Sequence, residues 1–195
     1  MSDHTPETQD TPPEGSQGDA INQSRRKLTG AALGVSAVFT LASRPVWANQ
    51  CTISGMASGN LSQPQEICGG CTPGYWKVPV HLDSWGPTTF TPVSETGKLA
   101  ETFNEVFDVT QYVKNDGSAY TLLEVMRELN GNGDPIYPNL GFHAVAALLN
   151  AAHPAVNFGY TSGELIALFK SNYLTNSEKL KNSLEMLNER DCPLN

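Results

Sequence analysis

Four cysteines are the residues of this 195-residue sequence with the clearest capacity for chemistry, and all of them follow residue 50. In a chain delivered to an oxidising compartment, an even number of cysteines indicates disulfide bonds, here two, and four cysteines allow three pairings. A bond from Cys68 to Cys71 would close a tight, strained ring. We favour Cys51 with Cys68 and Cys71 with Cys192, because this pairing would staple the irregular N-terminal loop and tie the end of the chain to its start. These two bonds would contribute roughly 3 and 5 kcal/mol by loop closure.

Two other uses of the cysteines compete with the disulfides. The spacing of Cys68 and Cys71 fits a redox centre, but that chemistry favours a first cysteine at a helix N-terminus. Residues 72–74, Thr-Pro-Gly, are instead typical of a turn. A four-cysteine zinc site requires a second close pair, and Cys51 and Cys192 are isolated in the sequence. We therefore expect no metal or cofactor, with zinc as the alternative.

Aromatic and basic side chains follow Cys71 closely. Tyr75, Trp76 and Trp85 could form a stacking platform for a sugar or a peptide, with Lys77 and His81 beside it. Alternatively, large aromatic side chains pack an irregular loop onto neighbouring helices and supply the core that such a backbone lacks. We favour packing and keep these five residues as the candidate binding site.

The other two histidines after residue 50 fall on one predicted helix. His143 lies on or beside its buried face, and we expect a core imidazole satisfied by one hydrogen bond. His153 precedes a proline and is expected to cap the helix C-terminus, where a cation is favoured. The two are ten residues apart, about 15 Å along a helix, so one metal ion cannot bind both together with His81.

No catalytic motif is recognisable. The sequence contains no Gly-x-Ser-x-Gly, no His-Glu-x-x-His and no glycine-rich phosphate loop. Carboxylates are numerous, but no pair is marked out for glycoside hydrolysis. We therefore expect no catalysis, with a small exported hydrolase or a metal-binding protein as the alternative.

The elements that position these residues begin with a targeting segment. Arg25 and Arg26 precede sixteen uncharged residues, 28–43, and small residues at 46 and 48 form a cleavage site after Ala48. The apolar run is shorter than the roughly 20 residues that span a membrane, which disfavours an uncut anchor. Paired arginines with weak hydrophobicity favour twin-arginine export over the general secretory route. We predict that residues 1–48 are a twin-arginine-type signal segment.

The rest of the chain is acidic. From residue 49 onward there are 15 acidic and 8 basic residues, a formal charge of −7 out of −8 for the whole sequence. Such a domain repels nucleic-acid phosphates and anionic lipids. We therefore expect no nucleic acid as a partner and no membrane contact after cleavage.

Periodicity divides the remaining chain in two. Prolines and glycines leave no window for a long helix or a central strand in residues 49–97, which we expect to be irregular. From residue 98, apolar residues recur with helical spacing. The positions expected to face the core are Leu99, Thr102, Phe103, Val106, Phe107, Leu122, Val125, Met126, Leu129, Leu140, Ala144, Ala147, Leu148, Ala151, Leu165, Ile166, Phe169, Leu180, Leu184 and Leu187.

Local signals refine this prediction. Thr161 and Glu164 form a capping box, and a short hairpin is expected near residues 112–113. The sequence therefore predicts a mainly α fold, with residues 49–195 as one domain. A small bundle of about five helices in residues 98–195 would stand behind a loop-rich, disulfide-stapled N-terminal region.

Residues 71–77 read Cys-Thr-Pro-Gly-Tyr-Trp-Lys, and they resemble a group of exported bacterial proteins that share this motif. The alanine-rich residues 141–152 and the ending at 187–194 are similar to the same group, so the likeness covers most of residues 51–195. In similar sequences, Asn-His and then Trp follow the Trp-Lys closely. Here residues 78–80 intervene before His81. The resemblance implies export and names no reaction.

We therefore expect an exported extracytoplasmic module of structural, adhesive or binding type, located in the periplasm, at the cell surface or outside the cell. Its expected partners are the export translocase and an extracytoplasmic glycan or protein.

Overall fold

The computed structural model describes residues 51–58 and 67–195. The predicted signal segment, with Arg25, Arg26 and Ala48, lies outside the described residues. The described residues form seven α-helices: α1 Ile53–Ser58, α2 Pro73–Lys77, α3 Phe103–Phe107, α4 Leu122–Glu128, α5 Leu140–Ala152, α6 Ser162–Asn172 and α7 Ser177–Asn188. Two 3₁₀ segments, Pro79–Thr88 and Gly131–Gly133, join them. The predicted mainly α fold is confirmed, with five helices after residue 98 and disulfides in the N-terminal region.

Helix α5 is the centre of the bundle. Ten of its residues are buried, from Leu140 to Asn150 with the single gap of Phe142, and it packs against α2, α4, α6 and α7. Its alanine stripe, which includes Ala144 and Ala147, allows these neighbours to approach closely. A helix that is apolar nearly all round is stable only when other elements cover it.

Threonine caps set where three of the helices begin. Thr102, Thr121 and Thr161 each accept a hydrogen bond from the backbone N–H three residues later, and the glutamate carboxylate at that position accepts one from the backbone N–H of the threonine. Each capping box satisfies two of the N–H groups that a helix start leaves unpaired. The box at Thr161 confirms the prediction, and the other two were not anticipated.

The first helix after residue 98 is shorter than its apolar pattern suggests. Leu99 was expected on the buried face, but it lies before α3 and is 79% exposed. The capping box at Thr102 starts the helix at Phe103, four residues after Leu99, and this leaves Leu99 outside the helix. The prediction for Leu99 is therefore wrong.

A tight hairpin follows α3, as predicted. Tyr120 N–H donates to the Tyr112 carbonyl over 3.1 Å, and Lys114 N–H donates to the Ser118 carbonyl over 2.7 Å.

Asp134 fixes the start of α5, because its buried carboxylate accepts from the Tyr112 hydroxyl and from the N–H of Gly141. Burial raises the pKa of Asp134, while the backbone donors oppose that shift.

Candidate functional site

The segment from Cys71 to Thr88, which we call the aromatic loop, is more ordered than predicted. Residues 72–74 were expected to form a turn, but they begin α2, with Thr72 as N-cap accepting from Tyr75 N–H over 3.3 Å. Pro73 occupies the first turn, where its missing N–H costs nothing and its fixed φ suits a helix. The turn prediction is corrected on that ground.

Both tryptophans of the aromatic loop belong to the hydrophobic core. Trp76 and Trp85 are 0% exposed and lie in one cluster with the buried residues of the bundle. Trp85 Nε1–H donates to the Trp76 carbonyl over 3.0 Å, and Trp76 Nε1–H donates to Asn150 Oδ1, so neither indole leaves a polar atom unpaired. Their faces are closed to a ligand in this structure, and packing describes them better than a stacking platform.

The other three candidate binding residues lie nearer the surface. Tyr75 is 8% exposed, and its ring stacks on His81 with centroids 4.1 Å apart. Its hydroxyl shares a hydrogen bond with Ser84 Oγ over 2.8 Å. Lys77 lies with Nζ 5.0 Å from the centroid of the Phe142 ring. Lys77 and His81 are partly exposed, and they are the candidate site residues that a partner can reach directly.

A buried amide network holds the aromatic loop to the bundle. Asn150 accepts at Oδ1 from Cys71 N–H over 2.9 Å and from Trp76 Nε1–H over 3.2 Å. Its Nδ2 donates to the Cys71 carbonyl over 2.8 Å and to Asn188 Oδ1 over 2.9 Å. Asn188 Nδ2 in turn donates to the His143 carbonyl over 2.9 Å. Both asparagines are fully buried, and this chain of bonds connects the loop, α5 and α7.

Sequence reasoning missed Asn150 and Asn188. Asparagine is mostly exposed in proteins, and no catalytic or metal-binding motif includes either residue, although both lie in the stretches 141–152 and 187–194 that resemble the exported group. One signal was present: Asn150 interrupts the alanine- and leucine-rich run of α5 at a position surrounded by core residues. A polar residue on such a face requires a buried partner.

Two disulfide bonds join the cysteines in the favoured pairing. Cys51 bonds to Cys68, and Cys71 bonds to Cys192 across 121 residues, so no described cysteine is free. The first bond secures the residues before α1 to Cys68, just ahead of the aromatic loop, and the second ties the residues after α7 to Cys71 at the start of that loop. Such bonds are compatible with an oxidising compartment.

The two glycines between Cys68 and Cys71 have a steric role. A Cβ added at Gly70 would lie 2.1 Å from the Leu187 carbonyl oxygen, so only glycine lets the chain pass the end of α7. Gly69 N–H donates to the Asn157 carbonyl over 3.0 Å, and Gly70 N–H donates to the Asp191 carbonyl over 3.2 Å. The two glycines between Cys68 and Cys71 are therefore required by the close packing of this backbone against the end of α7.

His143 lies between α5 and α7 and is 6% exposed. Its Nε2 is 3.7 Å from Glu185 Oε1, and Nδ1 has no hydrogen-bond partner among the described residues. Burial lowers its pKa to about 4, with Glu185 opposing the shift and Lys181 adding to it. The expected core imidazole is observed, but not its expected hydrogen bond, since Glu185 Oε1 stays 3.7 Å from Nε2 while Glu185 Oε2 accepts from Lys181 over 2.6 Å.

His153 ends α5 as predicted, and its N–H donates to the Leu149 carbonyl. Burial lowers its pKa, and its Nδ1 accepts from Ala155 N–H over 3.2 Å. Both observations favour a neutral imidazole over the cation that was expected at this cap.

Within residues 51–58 and 67–195, no group of three His, Cys, Asp or Glu side chains is placed to hold a metal ion. No helix in that part of the chain is both long enough and apolar enough to span a bilayer. Comparison with protein-family models, with curated proteins and with solved structures finds no match to this chain.

Proposed function

We propose that this chain is an exported extracytoplasmic module of structural, adhesive or binding type. The observation that carries the proposal is the pair of disulfides, which needs an oxidising compartment to form and persist. The signal-like residues 1–48 give the route, and twin-arginine export suits a chain whose helical core folds as a unit. The periplasm, the cell surface and the medium are the compartments that export can reach and in which disulfides persist.

The outward side of the aromatic loop is the proposed contact surface for a glycan or protein partner. It presents Lys77 and His81 together with Val80, which is 77% exposed. The buried tryptophans and the Asn150 network hold this surface rigid from below. Binding then requires little ordering of the backbone, which lowers its entropic cost.

Intact mass of the protein recovered from outside the cytoplasm tests the proposal. We expect a chain that begins at residue 49 and carries no free thiols, and elemental analysis is expected to find no stoichiometric metal. A full-length chain found only in the cytoplasm would contradict export. Turnover in a hydrolase screen, lost on changing one polar residue, would contradict a non-enzymatic role.

A Lys77→Ala, Val80→Ala double variant tests the contact surface. We expect it to lose binding to a glycan array or to the cell envelope while its melting temperature is unchanged. Leu174→Ala is the matched control, since Leu174 is 62% exposed but lies beyond α6, outside the aromatic loop. Equal binding by both variants would place the contact elsewhere.

A further inference from the structure

Each disulfide joins a fully buried cysteine to a partly exposed one. Cys51 and Cys71 are 0% exposed, whereas Cys68 and Cys192 retain some exposure. We propose that the folded core sets both pairings before oxidation, and that Cys192 and Cys68 react first with the oxidant. Asn150 is the positioning residue for the Cys71–Cys192 pair.

Cys71 is held in place without its sulfur. The side-chain amide of Asn150 binds both the N–H and the carbonyl of Cys71, over 2.9 and 2.8 Å. Asn150 is itself fixed by Trp76 and Asn188. None of these bonds involves Sγ, so they remain available when the cysteine is reduced.

Both flanks of Cys192 are held as well. On one side, the Asp191 carbonyl accepts from Gly70 N–H over 3.2 Å. On the other, the Leu194 carbonyl accepts from the Tyr75 hydroxyl over 3.3 Å. The Cα atoms of Cys71 and Cys192 lie 4.5 Å apart. The fold therefore delivers the two sulfurs to each other by contacts made around them.

The second pair is arranged by one loop, residues 157–160. Asn157 brackets Cys68, since its carbonyl accepts from Gly69 N–H over 3.0 Å and its Nδ2 donates to the Ile67 carbonyl over 3.4 Å. A Cβ on Gly159 would lie 2.7 Å from Cys51 Cβ, which shows how closely Cys51 packs there. Cys68 and Cys71 are kept from bonding to each other, because the backbone N–H groups of the two glycines between them donate to Asn157 and Asp191.

The chemistry is two successive thiol exchanges with a disulfide oxidant such as oxidised glutathione. The Cys192 thiolate attacks the oxidant, a mixed disulfide forms on Cys192, and one glutathione thiolate leaves. The Cys71 thiolate then attacks Cys192 Sγ, and the second glutathione thiolate leaves as the protein disulfide forms. Two electrons pass to the oxidant, and the two thiol protons are released. Cys68 and Cys51 follow the same course.

The order in which the thiols react follows from their exposure to the oxidant. Oxidation of a thiol depends on its exposure as well as on its thiolate character. An external oxidant can reach the partly exposed Cys192, but it cannot reach the fully buried Cys71. Ring closure is then intramolecular between groups already in position, which accelerates it.

The test uses the full chain, reduced in native buffer, freed of reductant and mixed with limiting oxidised glutathione. Samples are quenched by alkylation at intervals and mapped by mass spectrometry. We expect native helicity by circular dichroism before oxidation, first adducts on Cys192 and Cys68, and only the two native disulfides at the end. In guanidinium chloride we expect adducts on all four cysteines and mixed pairings.

Asn150→Ala is expected to slow closure of the Cys192 adduct by about tenfold, with the first adduct still on Cys192. Asn172→Ala is the matched control, since Asn172 is a buried asparagine of α6 that donates to Leu168. Tyr75→Phe, which removes only a hydroxyl, is a second and milder variant with a smaller slowing.

Three results would overturn the inference. These are loss of helicity on reduction, a first adduct on Cys71 or Cys51 in native buffer, and wild-type closure rates in both Asn150→Ala and Tyr75→Phe. The assay is done in a test tube and does not depend on the compartment. A failure here is therefore distinguishable from a failure of the export proposal.

Discussion

Trp76 and Asn150 form a buried pair in which the indole Nε1–H donates to the amide Oδ1 over 3.2 Å. Both residues are fully buried. The same amide oxygen accepts from Cys71 N–H, so this pair joins the aromatic loop, the disulfide and α5 at one point. Substitutions at this point should reveal how strongly the loop depends on the bundle.

Trp76→Ala should lower the free energy of unfolding by about 3–5 kcal/mol, the usual cost of emptying a large aromatic site. Trp76→Phe is the matched variant, because it keeps one aromatic ring in the site while it removes the Nε1–H donor and part of the indole volume, and we expect a smaller loss of about 2 kcal/mol. Urea unfolding of all three proteins measures this. A fully stable Trp76→Ala protein would contradict the packing assignment.

Gly70→Ala should destabilise the fold by about 3 kcal/mol, because its Cβ would lie 2.1 Å from the Leu187 carbonyl oxygen. Gly86→Ala is the control, since a Cβ there meets no atom within 4 Å. The control should be neutral or slightly stabilising. Thermal unfolding by circular dichroism measures both. Equal melting temperatures would mean that the chain does not pass α7 so closely.

Because of His143, we expect the free energy of unfolding to fall in mild acid. Its folded pKa of about 4 lies below the ordinary value of 6.5, so the unfolded chain binds the proton first as pH falls. This contribution is therefore fully present above pH 6.5 and is lost as pH falls toward 4. We expect a loss of about 2 kcal/mol between pH 7.5 and pH 5 by urea unfolding.

His143→Gln is the control for that measurement, since it removes the titrating group. Glu185 and Lys181 face His143 from α7. The pKa of Glu185 is lowered, chiefly by its hydrogen bond to Lys181, so it stays ionised at pH 5. An equal loss of stability in the variant would show that other groups carry the pH dependence.

Cys192→Ser should lower the free energy of unfolding by about 2–5 kcal/mol by releasing a closure of 121 residues. The protein should still be exported, because the helical core holds α7 without the bond. Cell fractionation and thermal unfolding measure the two effects separately. A variant that is degraded before export would show that the core cannot stand without this disulfide.

Changing Arg25 and Arg26 both to lysine should trap a full-length precursor inside the cell, since twin-arginine export reads the paired arginines. Lys27→Arg is the control, because it keeps the charge and leaves the pair intact. Western blotting of cell fractions distinguishes precursor from mature chain. Unchanged export of the double variant would favour the general secretory route.

The longer helices of the bundle were predictable because each repeats an apolar stripe over ten or more residues. Helices α5, α6 and α7 are of this kind, and their buried residues Ala144, Leu165 and Leu184 were all expected. Short helices such as α2 were not predictable in the same way. Five residues carry too little periodicity, and proline with glycine reads as a turn until a threonine cap is seen to start the helix.

The site was predictable in its residue types more than in its arrangement. Trp76 and Trp85 were expected to pack, but the sequence did not identify Asn150 as the hydrogen-bond partner of Trp76. Side-chain amides look alike whether exposed or buried, and only tertiary contacts separate them. His143 shows the same limit. Helical spacing predicted its burial, but the 3.7 Å separation of its Nε2 from Glu185 Oε1 depends on tertiary contacts between α5 and α7.

The two disulfides also give the module a mechanical property. A tensile load that enters on the N-terminal side of Cys51 and leaves on the C-terminal side of Cys192 can follow covalent bonds from Cys51 to Cys68, along two glycines to Cys71, and across to Cys192. Residues 72–191 lie outside that load path. Pulling on the module would therefore strain two sulfur bridges and a few backbone bonds, while the helices that support the aromatic loop carry no force.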